Sequence, residues 1–212
     1  YLYYSKEAIL SLQSTYESLH KRGYRPCLGN APLKENLAAG LIKLTKWNGN
    51  VPLLDIMCGS GTFLIEATSQ LVNRPLTFKK KYLFENWIDF DMKLFQRVKS
   101  NINQGKLNNI KLPKILGCEI NNVVFEQAKE NIYLAKLSNS IDIQNIDFAQ
   151  LRLNGDKGII VCNPPYGKRI GKDNKDLIDL YSKIGNCLKD EFSGWEFWLL
   201  SGNPELTRYL RM

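Results

Sequence analysis

The sequence predicts an α/β fold: a mostly parallel, doubly wound sheet with helices on both faces. Short apolar runs rich in β-branched or aromatic residues, at 51–55, 114–119, 141–148, 159–162 and 195–200, are mostly separated by longer stretches of helical periodicity. The run at 51–55 leads at once into a glycine turn and a helix, the opening of a nucleotide-binding α/β unit. Asp55, Glu119, Asp147 and Asn163 each stand where a strand ends, and parallel sheets bind ligands beyond the carboxyl ends of their strands.

The 212 residues, 44% hydrophobic and 24% charged, suit one globular domain with a full core. The sequence opens on Tyr1, as expected of a piece of a longer polypeptide. It contains neither an apolar run of membrane-spanning length nor a signal-peptide pattern, so no membrane role is expected. Cys27, Cys58, Cys118, Cys162 and Cys187 are scattered without a CxxC pair, and there is one histidine. That usage points to a reduced, cytoplasmic setting and no metal site. The net charge is +8, with basic groups bunched at Lys21-Arg22 and Arg25, at Lys79 to Lys81, at Lys111 and Lys114, and at Lys168-Arg169 and Lys172. A polyanionic partner explains the excess; a solvated face is the plain alternative.

In chain order, 8–12 reads as a strand and 18–25 as a basic connector, where His20 fits a structural or phosphate-facing role better than catalysis. Pro32 stands in the favoured first position of a helix with Leu33, Leu37, Leu41 and Leu44 as its apolar stripe, stopped by Gly49-Asn50. After the strand at 51–55, the turn Ile56-Met57-Cys58-Gly59-Ser60-Gly61 leads into a helix over 62–72. Glycines there allow tight curvature and close approach of a ligand to free helix N–H groups. The turn lacks the Gly-Lys-Ser/Thr of a P-loop and the spacing of a dinucleotide fingerprint, and a plain turn remains open. Residues 73–113 form an insertion with aromatic Phe78, Tyr82, Phe84 and Trp87, then a helix over 92–103. Its rings either stack nucleobases or pack a satellite core, the second being favoured for Trp87.

The strand at 114–119 ends in Glu119, placed either to accept from both hydroxyls of a ribose or simply to favour the next helix dipole. Asn121 or Asn122 caps that helix, whose apolar face includes Val124, Ala128, Ile132 and Ala135. The alternating run 141–148 presents Asp147-Phe148, an acceptor and ring for an adenine, or an ordinary loop. The buried strand 159–162 breaks into Asn163-Pro164-Pro165-Tyr166-Gly167. Prolines stiffen the backbone there, so the strand delivers an amide, a rigid carbonyl and an aromatic ring to the sheet edge. That suits a flat, hydrogen-bonding substrate; a proline turn after a core strand is the alternative. A helix over 175–190 (Leu177, Leu180, Tyr181, Ile184, Leu188), a strand at 195–200 and a helix start at Pro204 complete the chain.

Asp55-Ile56-Met57-Cys58-Gly59-Ser60-Gly61-Thr62 resembles the cofactor loop of Rossmann-like S-adenosylmethionine-dependent methyltransferases, and Asn163-Pro164-Pro165-Tyr166 their amino-methylating motif. With Ser18 to Arg25, Ala31 to Ala39, Gly167-Lys168-Arg169 and Phe192 to Trp195, the chain is similar to the THUMP-associated RNA methylases, and most to bacterial 23S ribosomal RNA guanine-N2 methyltransferases. The resemblance implies a connector over 1–30 and a catalytic domain over 31–212. It also implies a THUMP domain absent from this sequence and a sheet lacking the family's last two strands. Ile56 replaces a usual proline and Glu119 a usual aspartate.

The resemblance further implies S-adenosylmethionine as cofactor, held by Asp55, Cys58, Gly59, Ser60, Gly61, Thr62, Glu119, Ile120, Asp147 and Phe148. It places catalysis at Asn163, Pro164, Pro165 and Tyr166, on the N2 amine of a guanine in ribosomal RNA. Transfer-RNA guanine-N2 or DNA adenine-N6 methylation, and a noncatalytic RNA-binding module, are the alternatives.

Overall fold

Five of the apolar runs pair into one sheet. The computed structural model describes residues 2–4, 8–25, 33–73, 81–103, 112–153, 155, 157–167 and 174–212. Cys27, Ala31, Pro32, Phe78, Lys79, Lys80, Lys111, Lys168, Arg169 and Lys172 lie outside these. A hairpin of β1 (Leu2–Tyr4) and β2 (Ala8–Leu10) comes first, antiparallel and separate. The main sheet contains β3 (Leu53–Asp55), β4 (Ile115–Cys118), β5 (Asp142–Gln144), β6 (Ile159–Cys162) and β7 (Glu196–Leu199). Its order is β5-β4-β3-β6-β7 and every neighbouring pair is parallel. The strand order reverses between β3 and β6, so the crevice beyond their carboxyl ends is the topological switch point where such sheets bind ligands.

The three central strands are buried along their whole length, which is why they read as continuous apolar runs. Side chains alternate between the faces. Leu53, Ile159 and Val161 pack against Ala38 and Ile42 of α1 (Glu35–Leu44) and Phe63 and Ala67 of α2 (Thr62–Leu71). On the opposite face Leu54, Leu116, Ile160 and Cys162 share a core with Leu177, Tyr181 and Ile184. The helix bearing those three comes after α3 (Met92–Asn103) and α4 (Asn122–Leu134), and is α5 (Asn174–Glu191). Asn203 caps α6 (Pro204–Thr207), with Pro204 at its start as expected. No helix among the described residues is long and apolar enough to cross a membrane.

Two expectations change. Helix α1 begins at Glu35, after the expected Pro32, with Lys34 as N-cap. Its inward face is Glu35, Ala38 and Ile42, whereas Leu37 and Leu44 are 46% and 63% exposed. Of the expected stripe Leu33 and Leu41 do pack against this core, and a small alanine at 38 permits the close approach to α2 that turns Leu37 and Leu44 outward. The stretch 18–25 is not a free basic loop. Tyr24 is buried, the Arg22 Nε and Nη2 groups donate to Glu66 on α2 at 3.3 Å, and Arg25 lies 3.4 Å from Glu35. These arginines serve internal ion pairs rather than a polyanionic surface.

The insertion packs its own satellite core. Tyr82 stacks on Phe84 at 4.9 Å, and Phe90 and Phe95 close around Phe84 at 5.9 and 5.4 Å. Trp87 meets Phe84 edge-on and remains half-exposed.

Candidate active site

Asp55, the last residue of β3, is buried and accepts from the Met57 N–H at 3.2 Å. Burial pushes its carboxyl up to about 7; the Met57 N–H opposes this and the Glu119 charge adds to it. The chain then turns sharply. Gly59 and Gly61 have φ of +51° and +80°, a region that L side chains rarely adopt. A Cβ on Gly59 would meet nothing within 4 Å, so the turn presents bare backbone to open space. The Cys58 N–H donates to the Cys118 carbonyl at 2.8 Å, which ties the turn to β4. Burial, with the Asp55 charge, raises the Cys58 thiol well above its usual value and keeps it in the thiol form. Ser60 Oγ and Thr62 Oγ1 lie 3.3 Å apart at the start of α2.

Glu119 follows β4 and bridges two segments. Its carboxylate accepts from the Gly59 N–H at 3.1 Å and the Asn121 N–H at 2.8 Å. Those bonds leave further lone pairs on both oxygens. The neighbouring Ile120 is exposed. Asp147 accepts from the Ala149 N–H at 2.9 Å and pairs with Lys183 of α5. Burial pulls its carboxyl up, but the Lys183 hydrogen bond, the Ala149 N–H and the Lys183 charge together hold it below the ordinary value. The Phe148 ring belongs to the core, capped by Lys183 Nζ at 5.4 Å from its centroid, and presents no open face for a base.

Asn163 emerges directly from β6. Its Oδ1 is buried and has no hydrogen-bond partner among the described residues. A buried acceptor left unmet is costly, and such groups in folded proteins call for an explanation. Pro164 is buried, and Pro165 and Tyr166 are partly exposed. The Tyr166 ring rests against Gly202, where a Cβ would fall 2.7 Å from Tyr166 Cε2. The structure thus gathers Asp55, the glycine turn, Glu119 and Asn163 at one edge, with Asp147 beyond Glu119 at the end of β5.

Sequence reading missed three supports. Asn131, on the buried face of α4, donates to the Ser60 carbonyl at 3.0 Å. Asn145 donates to the Glu119 and Ile120 carbonyls at 2.8 and 3.2 Å. Gly202 makes room for Tyr166. A polar residue on the apolar face shared by Ala128 and Ile132 was the available signal for Asn131; the other two carried none.

A family model described as the RMKL-like methyltransferase domain matches residues 22–212. The chain belongs to that family. A Synechocystis protein named provisionally as an RNA methyltransferase is 42% identical over 200 residues, 94% of this chain and 52% of the relative. The ribosomal RNA large subunit methyltransferase K/L of Vibrio parahaemolyticus is 40% identical over 211 residues, 97% of this chain and 30% of the relative. The chain therefore spans about half, or less, of the curated relatives it matches. A solved structure provisionally named a methyltransferase, complexed with S-adenosylhomocysteine, superposes with a TM-score of 0.85 at 30% identity. The alignment covers 93% of this chain and 51% of that one. The RMKL-like domain has the Rossmann-like methyltransferase fold that the strand order above describes.

Proposed function

We propose that the chain carries the catalytic domain of an S-adenosylmethionine-dependent methyltransferase acting on the exocyclic N2 amine of a guanine in large-subunit ribosomal RNA. We assign that domain to residues 31–212 and the connector to 1–30, with 22–25 as its docked end. The observation that carries the reading is the buried Asn163 Oδ1, without a partner among the described residues, beside a stiff proline backbone at the switch point. The family membership and the names of the relatives support the RNA substrate.

The residues present fit the cofactor. The open space over Gly59 admits a ligand against bare backbone, and the Glu119 carboxylate has lone pairs for two ribose hydroxyls. Asp147 would accept from the adenine amino group, and exposed Ile120, rather than Phe148, would lie against the adenine face. When bound, the cofactor supplies a methyl group already activated on a sulfonium. The protein's task is then mainly alignment.

An aromatic amine delocalises its lone pair and is a poor nucleophile. Asn163 Oδ1 and the Pro164 carbonyl would accept its two hydrogens, hold the nitrogen and favour pyramidal geometry. The same acceptors stabilise the positive charge that develops on nitrogen. Tyr166, braced by Gly202, would stack on the base taken out of its helix or from an unpaired loop. No strong base is needed before transfer.

The test is transfer of labelled methyl from S-adenosylmethionine to unmodified ribosomal RNA, transfer RNA and DNA, followed by digestion to nucleosides. N2-methylguanosine from ribosomal RNA is the expected product. Label in transfer-RNA guanine or in adenine would keep the site and overturn the substrate. No label despite bound cofactor would mean that the acceptor is a different molecule or an assembly intermediate, and failure to bind cofactor would favour a noncatalytic RNA-binding module.

A further inference from the structure

Arg25 sits beside the start of α1 with its side chain 3% exposed. Its Nη1 donates to the Leu33 carbonyl at 2.9 Å and lies 3.4 Å from Glu35 Oε1. The other two guanidinium nitrogens, Nε and Nη2, are buried and have no hydrogen-bond partner among the described residues. Nε–H and Nη2–H share one edge of the planar group, and that edge presents two parallel donors matched to a carboxylate. One end of the fork is therefore tethered, and the end suited to an anion is unmet.

The surroundings reinforce the reading. Lys34, the N-cap of α1, has no acceptor with which to cap the helix, so the partial positive charge of the first turn of α1 stands next to Arg25. Helix α1 runs toward the start of β3, which puts its own first turn at the carboxyl edge of the sheet. Tyr24 lies in the cluster that contains Cys58 and Leu64, and Arg22 is clamped to Glu66. Arg22 and Tyr24 are thus pinned to α2 at Glu66, and Tyr24 shares its cluster with Cys58 of the glycine turn.

We propose that the Nε/Nη2 edge of Arg25 binds the carboxylate of the methyl donor's amino-acid arm. The inference rests on the donor assigned above. Glu35 offsets the Arg25 charge, which suits a zwitterionic arm better than a bare anion. The fork is buried, so it fits the end of a small molecule lying in the crevice rather than a phosphate on a polymer backbone.

Calorimetric titration of the 212-residue chain with S-adenosylhomocysteine and with 5′-methylthioadenosine, which lacks the amino-acid arm, tests this. Arg25→Gln should weaken S-adenosylhomocysteine by at least about tenfold, the loss expected for a charged hydrogen-bonded pair. Binding of 5′-methylthioadenosine should stay within about twofold, since the arm is absent from it. Arg25→Lys keeps the charge without the fork, so it should show the same selective loss in smaller measure. It carries the comparison if Arg25→Gln does not fold. Equal loss of both ligands would make Arg25 structural and overturn the proposal, as would no change in either. Weaker binding of a ribosomal RNA fragment with unaltered S-adenosylhomocysteine affinity would assign the edge to a phosphate instead. Failure of the unaltered protein to bind either nucleoside would sink the cofactor reading itself, a result separable from all of these.

Discussion

Asn163 and Asp55 end adjacent strands, and the protein treats their polar groups differently. The Asn163 oxygen is held buried without a donor among the described residues, which leaves its acceptor for a substrate. Asn163→Ala should leave S-adenosylhomocysteine affinity within about twofold while slowing methyl transfer by about 10²–10³-fold, the scale of losing one preorganised transition-state hydrogen bond. Calorimetry and single-turnover kinetics measure the two halves; equal loss of both would contradict the division of labour. Asp55 is buried and its carboxyl is pushed up to about 7. Well below pH 4 it is protonated whether folded or unfolded and contributes no penalty. As pH rises toward 7 the unfolded chain ionises first, so the folded state loses stability; above 7 the deficit is constant. Urea melts between pH 4 and 8 should show the native chain losing on the order of 3–4 kcal/mol relative to Asp55→Asn. Parallel curves would place Asp55 in a less demanding environment.

At the scale of elements, the glycine turn is held from outside. Glu119 takes the Gly59 N–H and Asn131 meets the Ser60 carbonyl from α4. Asn131→Ala should destabilise the fold by about 1–3 kcal/mol by leaving that carbonyl without its donor. It should also weaken S-adenosylhomocysteine several-fold, read by thermal melts and calorimetry; a melt change with intact affinity would confine Asn131 to folding. The elements themselves were legible. The boundaries of α3 and the placement of β6 followed from periodicity and from the prolines after Asn163. The inward face of α1 did not. Leu37 and Leu44 repeat at a helical interval as well as Ala38 and Ile42 do, and only the close approach of α2 selects the smaller pair.

Across the whole molecule, charge separates into an internal and an external share. Arg22 and Arg25 are matched by Glu66 and Glu35, so those two pairs cancel and the +8 excess lies with the remaining groups. Binding of a ribosomal RNA fragment, followed by fluorescence anisotropy, should weaken by at least about tenfold between 50 and 200 mM salt as counterions are released. A flat salt dependence would count against a polyanionic partner.

The chain's own residues determined where strands, turns and helices fall. They also set the chemistry carried by Asp55 to Thr62 and by Asn163 to Tyr166. Glycine, proline and hydrophobic period act within a few neighbouring residues, and so can be read one stretch at a time. Tertiary structure alone decided how those stretches are braced. Asn131 reaches Ser60 across 71 residues and Asn145 reaches Glu119 across 26. Arg22 and Arg25 turn inward because Glu66 and Glu35 arrive beside them on other elements. Contacts of that kind depend on which faces meet when the helices close over the sheet; the polar Asn131 on an apolar helix face hints at one of them, and no local pattern in the sequence names its partner.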